Sequence, residues 1–389
     1  MKIGVPRPTL DGETRVALVP ETFAKLKKAG FQLAVERCAG EAAHYSDASY
    51  EAAGGSLVSS AAELYDQSDV IVLAHLPTSD QIDAMRSGTI LISPLSALTN
   101  HDLIRHLAER NIAAFAMELV PRITRAQSMD ILSSMSSLAG YKAVLLGAAS
   151  LGRIFPMMMT AAGTITPAHV LIVGAGVAGL QAIATAKRLG AVVEAYDVRA
   201  VVKEQIESLG ARFVVVEAPA EDAQDKGGYA KEVSEAYKAK QAEALHKHVR
   251  ENDVVITTAL IPGKPAPKLI TAQMVRDMKP GSVIVDLAGE AGGNCELTRY
   301  GETVVEHGVT ILAPRNLPAT LPFNASQAFG KNITAFVLNM AKDGAILFNM
   351  EDEIVRETLV TRDGQVVSPR VRQAMGMPAL NQQPVGTGA

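Results

Sequence analysis

Apolar residues fall in short runs separated by stretches of helical periodicity. Residues 2–5 and 31–35 read as strands on either side of a helix over 20–29. Further apolar runs at 69–73, 89–92 and 112–116 are parted by helical stretches such as 100–110. Strands that alternate with helices build a parallel sheet. Residues 126–151 are rich in Ala, Leu, Met and Ser with glycines only late, at Gly140 and Gly147, and read as one long helix. A second series begins at His169, with strands expected at 170–173, 192–196, 212–216, 254–257 and 282–286. These are continuous apolar runs, as strands buried on both faces should be. After Leu312, Pro314, Pro318 and Pro322 precede a helical run over 325–340, which reads as the chain crossing back to its first domain. Thr361-Arg362-Asp363-Gly364 then reads as a hairpin turn and 381–389 as a frayed tail.

Length and charge narrow the picture. At roughly 150 residues per domain, the 389 residues make two to three domains. Lys+Arg number 37 against Asp+Glu 41, a net charge of −4 with no basic block, which argues against nucleic acid or an anionic membrane as a partner. Cys38 and Cys295 are too few for a disulfide framework or a cysteine zinc site and read as packing residues. His246 and His248, two apart on an expected helix, face different sides, so no metal site is expected. Met157-Met158-Met159 reads as core. The first residues lack the apolar core of a signal peptide. Residues 170–186 carry three glycines and Gln181 and fall short of the ~20 apolar residues a membrane span needs. A cytoplasmic chain without direct membrane insertion is therefore expected.

The strongest chemical signal is Gly174-Ala175-Gly176-Val177-Ala178-Gly179, between an expected strand and a helix over 180–189. In this dinucleotide-binding pattern the first glycine makes a tight turn, the second lets backbone approach a pyrophosphate and the third lets helix pack on strand. Asp197 ends the next strand 21 residues after Gly176 (197 − 176), where an acid should meet the adenosine ribose. A carboxylate there repels a 2′-phosphate, by about 4 kcal/mol for one charge pair at ~4 Å and an effective dielectric of ~20, which favours NAD(H) over NADP(H). Arg199 either offsets that repulsion or simply pairs with Asp197. Between an expected strand ending near Glu217 and a helix from about Ala230, Lys226-Gly227-Gly228-Tyr229 reads equally as a lid over the cofactor or as a plain surface loop. Thr258-Ala259-Leu260 follows a strand at the sheet's carboxyl edge, where ligands sit in such folds.

A second cluster is Pro121-Arg122-Ile123-Thr124-Arg125-Ala126-Gln127-Ser128-Met129-Asp130, placed by the pattern between domains, where clefts form. With a helix starting at Ala126, Gln127 and Asp130 share a face, as do Asp130 and Ser133, and this set suits a carboxamide or a ribose. The bland alternative is helix capping by Thr124 with Asp130 on the surface.

The chain resembles the NAD(H)-binding domain, or alpha subunit, of the proton-translocating NAD(P) transhydrogenases over nearly its whole length. The resemblance is carried by residues 122–134, beginning Arg122-Ile123-Thr124-Arg125-Ala126-Gln127, by 155–164 (Phe155-Pro156-Met157-Met158-Met159 onward), by 177–190, and by Gly227-Gly228-Tyr229-Ala230-Lys231-Glu232. It implies α/β architecture with two Rossmann-like domains, each a mainly parallel sheet flanked by helices, joined by long helices. The boundaries expected are 1–132 plus 323–380 for a discontinuous first domain and 133–322 for the NAD(H)-binding one. It also implies that Arg122, Gln127, Asp130 and Ser133, with Ile123 and Thr124, hold the nicotinamide end. Gly174, Ala175, Gly176, Val177, Ala178, Gly179, Asp197, Val198 and Arg199 would hold the rest, with contacts from Gly228, Tyr229, Gln241, Thr258, Ala259 and Leu260.

One glycine motif implies one nucleotide on this chain. A partner subunit would then carry NADP(H), and a separate membrane subunit the proton channel, with this chain a cytoplasmic homodimer peripheral to the inner membrane. Alanine dehydrogenase is the alternative, sharing the fold and the pattern Arg15-Val16-Ala17-Leu18. It calls for a histidine after the strand at 89–92 and a lysine after 70–72, where this chain has Ser93-Pro94-Leu95 and Leu73-Ala74-His75, and for an aspartate where Glu290 stands. A non-catalytic NAD sensor is a third reading.

Overall fold

The structure is a computed structural model that describes residues 1–215, 235–261 and 263–380. In chain order its strands are β1 (Lys2–Val5), β2 (Gln32–Glu36), β3 (Ser56–Val58), β4 (Val70–Val72), β5 (Ile90–Ser93) and β6 (Ala113–Ala116). An isolated pair, β7 (Met158–Thr160) and β8 (Gly163–Ile165), follows. Next come β9 (His169–Val173), β10 (Val192–Tyr196), β11 (Arg212–Phe213), β12 (Val254–Thr257), β13 (Val283–Asp286), β14 (Thr303–Glu306) and β15 (Val309–Leu312). The short pair β16 (Ala341–Lys342) and β17 (Ala345–Ile346) precedes β18 (Leu359–Arg362) and β19 (Gln365–Val366).

Two compact units result, one of residues 1–135 with 319–389 and one of residues 136–318. In the first the strand order is β19-β18-β6-β5-β4-β1-β2-β3. The run from β6 to β3 is parallel, and the late strands β18 and β19 add to its edge antiparallel. Phe329, Ile333, Phe336 and Val337 of the helix Pro322–Met340 pack with Ile3, Val5, Leu33 and Phe115 in one buried cluster. The hairpin at Thr361-Arg362-Asp363-Gly364 joins β18 and β19.

In the second unit the order is β11-β10-β9-β12-β13-β15-β14, parallel except for β14. β9 is the switch point: the chain leaves it to β10 on one side and returns to β12 on the other. A crevice at the carboxyl ends of β9 and β12 follows from that reversal. β12 and β13 are buried at every position, as their unbroken apolar sequence requires.

Three expectations need correction. The long helix runs Ile131–Ser150, and Thr124–Met129 before it is a 3₁₀ turn. Asp130 is extended (φ −76°, ψ 95°) and breaks the two apart, so Gln127 and Asp130 do not share an α-helical face. Met157, Met158 and Met159 are not core: they are 64, 44 and 81% exposed on the β7–β8 hairpin. Thr160 Oγ1, which donates to Gly163 O at 3.0 Å and accepts from Ala162 N at 3.1 Å, tightens the turn. Lastly, a single long helix crosses the boundary between the units; the return crossing is the short turn Leu317–Thr320.

Ile131–Ser150 is, among the described residues, the one helix long and apolar enough to cross a membrane by length and composition. Its glycines are packing positions. A Cβ on Gly140 would lie 2.1 Å from Ala178 O, and one on Gly147 3.0 Å from Val254 Cγ1.

Candidate functional site

The glycine loop is built as its spacing requires. Gly174 turns with φ +98° and donates its N–H to Tyr196 O at 2.8 Å. At Gly179 a Cβ would sit 1.8 Å from Gly174 O, so only glycine lets the helix Val177–Arg188 lie against the loop. Gly176 is the opposite case. Nothing lies within 4 Å of its Cβ position, and no side chain caps the helix that it begins. Unsatisfied N–H groups and the positive end of the helix dipole therefore face open space, which suits a phosphate. Ala175 and Ala178 supply small side chains in the same turn, and Val177 is 43% exposed beside them.

Asp197 closes one side. Its carboxylate accepts from Ala175 N (2.8 Å), Arg199 N (2.8 Å), Arg199 Nε (3.0 Å) and Arg199 Nη2 (3.0 Å). The aspartate side chain is only 6% exposed. Val198 between the pair is 49% exposed.

The loop after β12 closes the other side. Thr258 Oγ1 donates to Gly174 O at 3.0 Å, and Ala259 follows with Leu260 55% exposed. Asn294, fully buried, pairs with Ala259 as a second backbone would: Ala259 N donates to its Oδ1 at 2.9 Å, and its Nδ2 donates to Ala259 O at 2.8 Å and Pro267 O at 2.9 Å. Asp286 anchors the same region from the end of β13, accepting from Thr257 Oγ1, Ala288 N, Cys295 N and Thr298 Oγ1. Neither anchor stands out in the sequence; Gly292-Gly293-Asn294 after a strand reads only as a turn.

Gln241 is half-buried on the helix Glu235–Glu251. His248 on that helix bonds Glu194 at 2.7 Å, while His246 bonds Asp277 at 2.8 Å, so the two point to different partners. Burial alone would raise the Glu194 pKa, but bonds from His248, Arg212 and Asn252 hold it at about 2. Gly228 and Tyr229 lie outside the described residues.

In the first unit, Arg122, Thr124 and Gln127 are exposed and Ile123 half-buried. Asp130 caps the long helix: Ser133 N donates to its Oδ1 at 2.9 Å and Ser133 Oγ to its Oδ2 at 2.6 Å. Arg125 is structural, since it bonds the Asp352 carboxylate and Asn339. The Arg125 guanidinium holds Asp352 at about 2. Glu118, buried beneath Leu95 N (3.0 Å) and Ala97 N (2.9 Å), has its carboxyl pushed up by burial.

Models of the two domains described as "Alanine dehydrogenase/PNT" match the chain, the N-terminal domain over residues 4–139 and the C-terminal domain over 143–369. The first polypeptide of the divided NAD(P) transhydrogenase subunit alpha of Rhodospirillum rubrum is 52% identical over 377 residues, 95% of this chain and 98% of that one. The chain belongs to the NAD(P) transhydrogenase subunit alpha branch of the alanine dehydrogenase/PNT family. The crystal structure of a transhydrogenase from Sinorhizobium meliloti superposes with a TM-score of 0.84 at 41% identity, covering 95% of this chain and 99% of that one. Alanine dehydrogenase of Halomonas elongata is more distant, 32% identical over 97% of each chain.

Local chemistry follows the same division. Arg15 is held by the chain's own Glu13 (Nε–Oε1 2.8 Å, Nη2–Oε2 2.6 Å) and by Ala74 O. The Ser93 hydroxyl donates to His75 O at 2.9 Å.

Proposed function

We propose that this chain is the NAD(H)-binding subunit of a proton-translocating NAD(P) transhydrogenase. In this reading hydride passes directly between NADH held here and NADP+ on a partner subunit. Proton movement runs through a separate membrane subunit, and this chain acts as a cytoplasmic homodimer at the inner membrane surface. The observation that carries the nucleotide assignment is the junction of loop and acid: Ala175 N on Asp197 at 2.8 Å, beside an uncapped helix N-terminus with open space at Gly176. The choice of transhydrogenase over alanine dehydrogenase is supported by 52% against 32% identity over nearly the whole chain.

The bound nicotinamide supplies the hydride; the protein supplies position. Gly174 to Gly179 would cradle the pyrophosphate with backbone N–H groups, and Asp197 would accept the adenosine ribose hydroxyls. Thr258, Ala259 and Leu260 border that loop. Arg122, Gln127, Asp130 and Ser133 would orient the nicotinamide end, with Asp130 fixed in direction by its bonds to Ser133. Direct transfer needs reacting atoms roughly 3 to 3.5 Å apart, so orientation rather than acid–base chemistry limits the rate.

The test mixes the full chain with an NADP(H)-binding transhydrogenase subunit, NADPH and a spectrally distinct NAD+ analogue. Reduction of the analogue only when both proteins are present is expected. Binding of the analogue without reduction, together with oxidation of L-alanine by NAD+, would transfer the chain to the dehydrogenases. Within the active complex, Gln127→Ala should lower the transfer rate at saturation more than NADH affinity. Loss of affinity with an intact rate would refute its orienting role.

A further inference from the structure

The four donors on Asp197 fill every acceptor position its carboxylate offers. Two are backbone N–H groups, of Ala175 and Arg199; two belong to the Arg199 guanidinium in a fork across both oxygens. A ribose diol needs two acceptor positions on this carboxylate. The backbone donors are fixed by the glycine loop and by the 197–199 turn. The guanidinium is the partner able to give way, because its side chain is 36% exposed at the rim while the aspartate is 6% exposed.

We infer that Arg199 is a specificity-determining residue that occupies the ribose positions on Asp197 and is exchanged for the diol on binding. This rests on the NAD(H) reading above. Two consequences follow from charge and geometry. The exchange makes NAD(H) binding compete with an internal ion pair, so the pair weakens affinity for the diol. Once displaced, the guanidinium stays within two residues of Asp197 and faces the ribose side, where it softens the repulsion between that carboxylate and a 2′-phosphate. Discrimination between the two cofactors is thus set by the pair, and Arg199 acts to reduce it.

Arg199→Ala isolates the side chain, because the backbone bond from residue 199 N to Asp197 Oδ1 survives. Dissociation constants for NADH and NADPH are read from nicotinamide fluorescence on the full-length wild type, Arg199→Ala and Arg199→Lys. Expected for Arg199→Ala is NADH binding unchanged or tighter, NADPH binding at least tenfold weaker, and a selectivity ratio raised at least tenfold. Lys keeps the charge without the fork, so it should bind NADH more tightly than wild type while retaining most of the NADPH affinity. Equal weakening of both cofactors by Arg199→Ala, or weakening of NADH alone, would overturn the inference and make Arg199 an ordinary support or a direct contact. A wild-type chain that binds neither cofactor would instead bring down the NAD(H) reading, and this inference with it.

Discussion

Asn294 offers the sharpest test of how the cofactor edge is held. Its side chain is fully buried and makes three bonds, two to Ala259 and one to Pro267. Asn294→Ala leaves Ala259 N, Ala259 O and Pro267 O without that partner. Each orphaned buried group costs about 1–3 kcal/mol. Allowing for water in the space left behind, a loss near the lower sum, about 3 kcal/mol, is expected. Asn294→Asp is the more discriminating variant. It keeps the acceptor for Ala259 N but turns an oxygen toward Ala259 O and Pro267 O. Ionised, it is repelled; protonated, it restores one donor, so the folded state raises its pKa above the ~3.9 of an unfolded aspartate. A carboxyl raised in the folded state gives its greatest stability at low pH and loses it as pH rises from the unfolded value to the folded one. Urea unfolding followed by circular dichroism should therefore show the Asp variant nearest wild type around pH 4 and weakest above neutrality. A deficit below about 1 kcal/mol in the Ala variant, or a pH-independent deficit in the Asp variant, would refute the two-point clamp.

Two glycines separate folding from binding. Gly179→Ala drives a Cβ to 1.8 Å from Gly174 O, so it should cost about 1–3 kcal/mol in unfolding free energy as well as NADH affinity. Gly176→Ala meets nothing in the protein and should leave the melting temperature unchanged while weakening NADH at least tenfold; equal effects from both would refute the assignment of the open side to phosphate. Glu194 is held at about 2 against an ordinary 4.5, so its stabilisation is complete above the ordinary value and is lost as pH falls toward 2. Glu194→Gln should accordingly be less stable than wild type at pH 7, and the gap should close below pH 4.5 in thermal melts.

The second unit was the more legible half, because β9, β10, β12 and β13 are apolar runs that nothing but a buried parallel sheet accommodates. The glycine loop with Asp197 was readable because each residue is needed for a backbone reason. What escaped was decided by neighbours far away in sequence. Asn294 and Asp286 matter through partners that only the fold brings near. Glu118 is buried by the loop at Leu95 and Ala97, more than twenty positions earlier. Met157 to Met159 misled because hydrophobicity alone does not bury a segment, and a hairpin turn at Thr160 to Gly163 took the run outward. The long helix was placed too early because helix propensity at Ala126 and Gln127 does not register a cap, and Asp130 supplies one.

The order in which the ribosome delivers this chain gives its discontinuous first unit a particular vulnerability. Residues 136–318 form a unit whose strands all emerge consecutively, so that half has everything it needs before synthesis ends. The first unit, although begun first, waits for Phe329, Ile333 and Phe336 to fill its core and for β18 to cover the open edge of β6. Until residue 359 or so is made, β6 presents an unpaired parallel edge of apolar sequence, the kind of surface that recruits other strands. Premature termination anywhere in the last seventy residues, roughly the span from the return crossing onward, therefore spoils the portion of the protein that was translated earliest.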